Sequence, residues 1–227
     1  MNIYPAILTG DTVKAQDQLD ECGKILECWG TDESDQFIVQ IDVIDGLFAD
    51  NLTLTPIDLA QLDFGDLKVD LHLMTEEPLN DVHELQDVKR KIPVRAVIAQ
   101  VERMSYQADF IEEVRKEDWW PGLSIDAFTP LSAIDEHSWF HLKVVQLMGI
   151  EAGFQNQAFL PQVLAKIEAL VALRLDKKLE FEILVDGGVK ANCLAQIKAM
   201  GAESAVVGSA LWLAQDKIET YRQLKSF

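Results

Sequence analysis

The sequence is short of cysteine, of positive charge and of long apolar runs. Its three cysteines, Cys22, Cys28 and Cys193, are too few and too scattered for a disulfide framework or a cysteine zinc site. They read as buried filler in a reducing compartment. Twenty lysines and arginines face 38 acids, a net charge of −18. Such a chain is repelled by nucleic acid and by anionic membranes, so neither is expected as a partner. No stretch has the length and apolarity of a membrane span, and Met1-Asn2-Ile3-Tyr4-Pro5 carries no basic segment of the signal-peptide kind, so a cytoplasmic protein is expected. No Ser/Gly-rich linker or low-complexity tract interrupts the chain, and residues 1–227 are read as one domain. No Gly-x-Gly-x-x-Gly follows the first apolar run, which weakens the case for an open dinucleotide-binding sheet.

What the chain does have is alternation. Short apolar runs at 4–8, 37–42, 68–73, 96–101, 122–127, 142–147, 181–185 and 204–207 predict strands. Amphipathic stretches at 12–27, 108–116, 161–175, 190–200 and 211–224 predict helices, with a weaker one at 81–88. Leu164, Ile167, Val171 and Leu175 recur at helical spacing, and Pro161 suits a first helical turn. Trp119-Trp120-Pro121 reads as a rigid exit before the fifth strand. Eight strand–helix units imply parallel strands with right-handed crossovers, and at this length a closed (β/α)8 TIM barrel is the economical architecture. A doubly wound open sheet is the runner-up.

In such a barrel the C-terminal strand ends face the active site. Two late strands run out at Asp186-Gly187-Gly188 and Gly208-Ser209. Small residues ahead of a helix let backbone N–H groups approach an anion, and the helix dipole adds to the attraction. The same residues also make ordinary strand-to-helix turns. Gln40 and Asp42 share one side of the second strand, His72 lies on the third and Asp186 ends the seventh. Two carboxylates and an imidazole at one mouth suit a divalent cation, with Asp42 and Asp186 also exchanging protons. Each has a plainer reading: Asp42 as a turn residue with Asp45-Gly46, Asp186 as a turn residue, His72 as a core histidine. His83, His137 and His141 lie in or beside helices and are assigned no chemistry.

Taken together, these segments resemble the ribulose-phosphate 3-epimerase family nearly end to end. Pro5-Ala6-Ile7-Leu8 resembles its Pro-Ser-Ile-Leu, and Gln40-Ile41-Asp42-Val43-Ile44-Asp45-Gly46 its His-Val-Asp-Val-Met-Asp-Gly, with Asn51 following. Asp70-Leu71-His72-Leu73-Met74, Thr129-Pro130, Met148, Gly153-Phe154-Gln155-Asn156-Gln157, Val185-Asp186-Gly187-Gly188 and Gly208-Ser209 follow in family order. The resemblance implies a ribulose-phosphate-binding barrel that inverts C3 of a ketose phosphate. Asp42 and Asp186 would be the proton-transfer pair and also touch the metal, His72 would be a pure ligand, and Gln40 a weak fourth. The metal would be zinc in first place, with iron, manganese or cobalt as alternatives. The phosphate would sit on Gly153, Phe154, Gln155, Asn156, Gly187, Gly188, Gly208 and Ser209, and the sugar against Ala6, Met74 and Met148. A homo-oligomer is also implied.

The chain departs from the family pattern at four places. Gln40 stands where the family has a metal-ligating histidine, and a neutral amide oxygen is a harder, weaker zinc ligand than imidazole. Ala6 replaces a serine, Leu47 a histidine, and Gln155-Asn156 two glycines. Three functions therefore compete: an active epimerase on a pentulose or related sugar phosphate; a non-catalytic or regulatory sugar-phosphate-binding barrel; and, third, a decarboxylase or hexulose-phosphate synthase. The last would need an Asp-x-Lys-x-x-Asp run, and Asp42-Val43-Ile44-Asp45 carries no lysine.

Overall fold

A computed structural model describes residues 1–29, 36–152 and 157–227. Eight strands close into a parallel barrel in sequence order: β1 (Asn2–Ile7), β2 (Ile38–Ile44), β3 (Lys68–Met74), β4 (Val94–Gln100), β5 (Trp120–Ile125), β6 (Val144–Met148), β7 (Glu182–Asp186) and β8 (Ser204–Val207). β8 pairs with β1 and leaves no free edge. Outside them lie α1 (Thr12–Trp29), α2 (Pro56–Leu59), α3 (Leu79–Val88), α4 (Gln107–Lys116), α5 (Val163–Lys177), α6 (Ala191–Ala199), α7 (Ser209–Trp212) and α8 (Lys217–Lys225). The architecture is the (β/α)8 TIM barrel expected. No described helix is long and apolar enough to cross a membrane.

Local chemistry explains the boundaries. Asp11 Oδ1 accepts from the Val13 and Lys14 amides at 2.9 and 3.2 Å and so starts α1. Thr55, Pro56 and Asp58 form a capping box that nucleates the one-turn α2, which periodicity could not reveal. The helix expected at 211–224 is two: α7 ends at Trp212, and Asp216, in extended conformation, accepts from the Glu219 amide at 2.9 Å and caps α8. Trp120 and Pro121 are not an exit before β5 but its first two residues. Pro161 precedes α5 rather than opening it. Between β5 and β6 the connection is made by two short 3-10 turns, Leu131–Ala133 and Ser138–Phe140, and buried Trp139 fills the layer a helix covers elsewhere. Cys22 and Cys193 are buried, but Cys28 is exposed, against the expectation for it.

The core has two layers. One lies between strands and helices; the other is the barrel interior, packed with Tyr4, Ala6, Ile38, Ala96, Ile98, Val144, Leu184 and Val206. Gly122 is required there, because a Cβ would come within 2.7 Å of Ile98 Cγ1 and 3.2 Å of Val144 Cβ. The N-terminal end of the barrel is closed by polar groups. Arg95 Nε donates to Asp70 Oδ1 at 2.7 Å and its Nη2 to Asp70 Oδ2. Its Nη1 donates to Glu182 Oε2 at 3.0 Å. The Tyr4 hydroxyl donates to Glu182 Oε1 at 2.7 Å, and the guanidinium lies 5.2 and 4.9 Å from the Tyr4 and Trp120 rings.

Asp81, in the first turn of α3, accepts from the Thr75 hydroxyl at 2.6 Å. Burial pushes its carboxyl up to about 6, against the Thr75 hydrogen bond. A folded value above the unfolded one means the native state holds this proton more tightly. The group therefore favours folding most below about pH 4, and that advantage is gone above about pH 6. Asp81→Asn carries no such cost. Its stability relative to wild type should rise by on the order of 1–3 kcal/mol between pH 4 and pH 7. Urea melts at the two pH values check this; a constant difference would contradict it.

Candidate active site

Asp42 and His72 are register partners across the β2–β3 pair, and Asp186 ends β7. His72 Nδ1 lies 3.1 Å from Asp42 Oδ1 and 3.5 Å from Asp186 Oδ2. One ligand atom from each of the three falls within 4.8 Å of the others. Gln40 completes the group: its Nε2 donates to Asp42 Oδ1 at 2.9 Å and to Asp186 Oδ2 at 2.7 Å. Side chains from three strands, separate in sequence, thus meet at one barrel end.

Two further amides belong to the cluster and escape a reading of the sequence. Gln146 on β6 donates from Nε2 to Asp186 Oδ2 at 3.2 Å, beside Met148 Sδ at 3.7 Å. Gln100 at the end of β4 places its Nε2 3.1 Å from His72 Nε2. The signal was a lone amide in each of two apolar strands, Val144-Val145-Gln146-Leu147-Met148 and Val97-Ile98-Ala99-Gln100. A buried amide in a parallel strand has to find partners inside the barrel.

Burial raises the Asp42 carboxyl above the usual range, opposed by its hydrogen bond from His72. Burial acts the other way on His72, but the Asp186 and Asp42 carboxylates overcome it and the imidazole is pushed up to about 9. An imidazolium carries N–H on both nitrogens. An amide nitrogen facing Nε2 is matched only by the neutral Nδ1–H tautomer, whereas the protonated ring that the two carboxylates favour requires Gln100 to present its oxygen instead.

Above the acids opens a pocket lined by Ala6, Leu8, Met74, Met148 and Ile150, with Gly187, Gly188, Gly208 and Ser209 at its rim. Ala6, Met74 and Met148, expected from the sequence to face the sugar, all line this pocket. Gly187 and Gly188 have φ of +99° and +68°, and a Cβ would meet Ile150 Cγ1 at 2.4 Å and Phe159 N at 2.7 Å. Only glycine fits this turn. Gly208 precedes α7, which has just four residues, so the turn's amides rather than a long helix dipole are what this rim offers. Gly153, Phe154, Gln155 and Asn156 lie outside the described residues. Leu47 is exposed and is not among the described residues that line this pocket.

The donor set suits a divalent cation. Two carboxylates supply negative charge and an imidazole supplies a nitrogen. Gln40 Oε1 is buried with no hydrogen-bond partner among the described residues, and it is Nε2 rather than this oxygen that faces the two carboxylates.

Fold and cluster together define an acid–imidazole site at the mouth of a closed (β/α)8 barrel, the layout of a barrel enzyme. The model of the ribulose-phosphate 3 epimerase family matches residues 2–212. The chain belongs to the ribulose-phosphate 3-epimerase family, a family of isomerases. It is 30% identical to ribulose-phosphate 3-epimerase 2 of Cupriavidus necator, over 98% of this chain and 88% of that protein. It is 29% identical to ribulose-phosphate 3-epimerase of Bacillus subtilis, over 99% and 98%. Among solved structures, 3-hexulose-6-phosphate synthase superposes with a TM-score of 0.66 at 14% identity, covering 100% of this chain and 99% of that one. That likeness concerns the fold alone.

Proposed function

We propose that this protein epimerises C3 of a ketose phosphate, interconverting ribulose 5-phosphate and xylulose 5-phosphate or a closely related pair, with a divalent cation as cofactor. The observation that carries the reading is the pairing of Asp42 and Asp186 around one imidazole, at the floor of a pocket rimmed by Gly187-Gly188 and Gly208-Ser209. Inversion requires one group to take the C3 proton from one face and another to return a proton to the opposite face. Asp42 from β2 and Asp186 from β7 approach the site from different strands and supply those two groups. Burial that raises the Asp42 carboxyl makes it a better base than an exposed aspartate. Asp42, His72 and Asp186 would hold the cation, with Gln40 as a fourth ligand. When bound, such a cation polarises the C2 carbonyl and offsets the charge that develops when the C3 proton leaves. Backbone amides at the glycine rim hold the phosphate, which the overall charge of −18 would otherwise repel. A cytoplasmic homo-oligomer belongs to the same reading, on family grounds.

The test is solvent isotope exchange. Ribulose 5-phosphate in deuterium oxide, with zinc, manganese or iron(II) added, is expected to gain deuterium at C3 as its epimer accumulates. No exchange with any of the three metals would falsify the reading for that sugar.

A second reading has one observation in its favour: Gln40, in place of an imidazole, turns its N–H groups toward both carboxylates. A sugar-phosphate-binding barrel without turnover would look like this. Calorimetric binding of the phosphate ester with no isotope exchange favours it over the first.

A further inference from the structure

Gln40, Gln100 and Gln146 share an unusual feature. Each side chain is wholly buried, each points its amide nitrogen into the acid–imidazole cluster, and each leaves Oε1 with no partner among the described residues. A buried amide oxygen without a hydrogen bond costs about 1–3 kcal/mol, and three stand around one site. A half-turn of a terminal amide is a small motion, because nitrogen and oxygen exchange places with almost no change in shape.

Resting on the reading that this cluster holds a divalent cation, we propose that Gln40 and Gln100 are positioning amides that turn together when the cation enters. With nitrogens inward, Gln40 holds Asp42 and Asp186 together by 2.9 and 2.7 Å hydrogen bonds, and Gln100 faces an accepting His72 Nε2 at 3.1 Å. That tautomer keeps a proton on Nδ1, the nitrogen nearest both carboxylates, and a protonated nitrogen cannot ligate a metal. With oxygens inward, Gln100 accepts from His72 Nε2–H. Nδ1 then has a free lone pair, and Gln40 Oε1 faces the two carboxylates. The turned donor set is oxygen from Gln40, Asp42 and Asp186 and nitrogen from His72. Carbonyl and carboxylate oxygens suit manganese and magnesium, whereas imidazoles suit zinc. The preference for zinc over manganese is accordingly narrower here than with an imidazole at position 40. Gln100 would touch no metal. It acts through His72 by fixing which ring nitrogen is available.

The experiment uses full-length protein stripped with chelator and titrated calorimetrically with Zn2+ and with Mn2+. Gln100→Leu is expected to weaken both cations about 10–100-fold while its melting temperature in chelator stays near that of wild type. Gln100→Glu, which can only accept, should bind at least as tightly as wild type. Gln40→His should raise the zinc-to-manganese affinity ratio. A crystal structure of the Mn2+-loaded protein should place the Gln40 amide oxygen about 2.0–2.2 Å from the ion, ordinary metal–oxygen bonding distance. Gln40 still bridging the two carboxylates beside a bound ion overturns the proposal, as does Gln100→Leu with unchanged affinity, or Gln100→Glu as weak as Gln100→Leu. Those results leave the epimerase reading intact. Wild-type protein that takes up neither cation overturns both the amide turn and the cation part of that reading. Because every readout is binding or geometry, a protein that binds cations as described yet exchanges no deuterium removes the epimerase reading alone.

Discussion

Asp42→Asn and Asp186→Asn should each lower the rate of C3 inversion by about 10²–10⁴-fold, the usual contribution of a positioned acid or base. The two losses differ in kind from simple damage. On the proposed mechanism each aspartate serves one face of the sugar, so a variant with one of them left can still remove and return a proton on that face. Each single variant is therefore expected to wash solvent deuterium into one epimer without converting it to the other, and the two variants should choose opposite epimers. The double variant should do neither. Proton exchange and inversion are read from the same sample by mass spectrometry and by resolving the two sugars. Either single variant retaining wild-type inversion would remove that residue from the proton-transfer pair.

At the other end of the strands the expected effect is on stability. Arg95→Leu strips the partner from Asp70, fully buried, and from Glu182, which also accepts from Tyr4. Leaving a buried charge without its counter-ion costs about 3–5 kcal/mol. For a chain of this size that corresponds to a fall of roughly 6–20 °C in melting temperature. The remaining folded fraction should turn over substrate at the wild-type rate, because Arg95 lies at the barrel end away from the pocket. Replacing Asp70 and Glu182 by leucine as well should recover most of the loss, since an apolar set of similar volume needs no counter-ion. Denaturant unfolding at neutral pH measures all of these; a loss below about 1 kcal/mol in the single variant would contradict the account of a buried ion network.

The barrel was legible in the sequence because its strands are buried on both faces and read as apolar runs, as at Ile38–Ile44, where every residue is buried. Asp42, His72 and Asp186 were legible for the opposite reason: an ionisable group within an apolar strand has few places to go. Trp120-Pro121 misled because proline suggests a boundary, yet a proline can occupy the start of a strand, where the ladder hydrogen bond it cannot make is not needed. The break between α7 and α8 was hidden because Asp216 suits the exposed face of a helix as well as a cap, and the choice between them is made by local hydrogen bonding. Gln100 and Gln146 stayed silent because an amide has no charge to mark it, and its partners are fixed only by the way neighbouring strands are staggered. Of the four departures from the family pattern, the structure brings Gln40 and Ala6 into the site, leaves Leu47 off the described lining of the pocket, and places Gln155-Asn156 beyond what is described.

Ring closure by β1 and β8 carries a consequence for biosynthesis. β1 is synthesised long before its second neighbour, β8, which follows it by about 200 residues of chain. Until then the nascent sheet exposes two unsatisfied margins, each a template for pairing with another copy. The indole of Trp212, which donates to the Ala6 carbonyl, fastens the later segment to the earlier one only after all eight strands have been made. Yield in a cell should thus depend on how quickly synthesis finishes, and a message truncated before β8 should give aggregate rather than a smaller soluble protein.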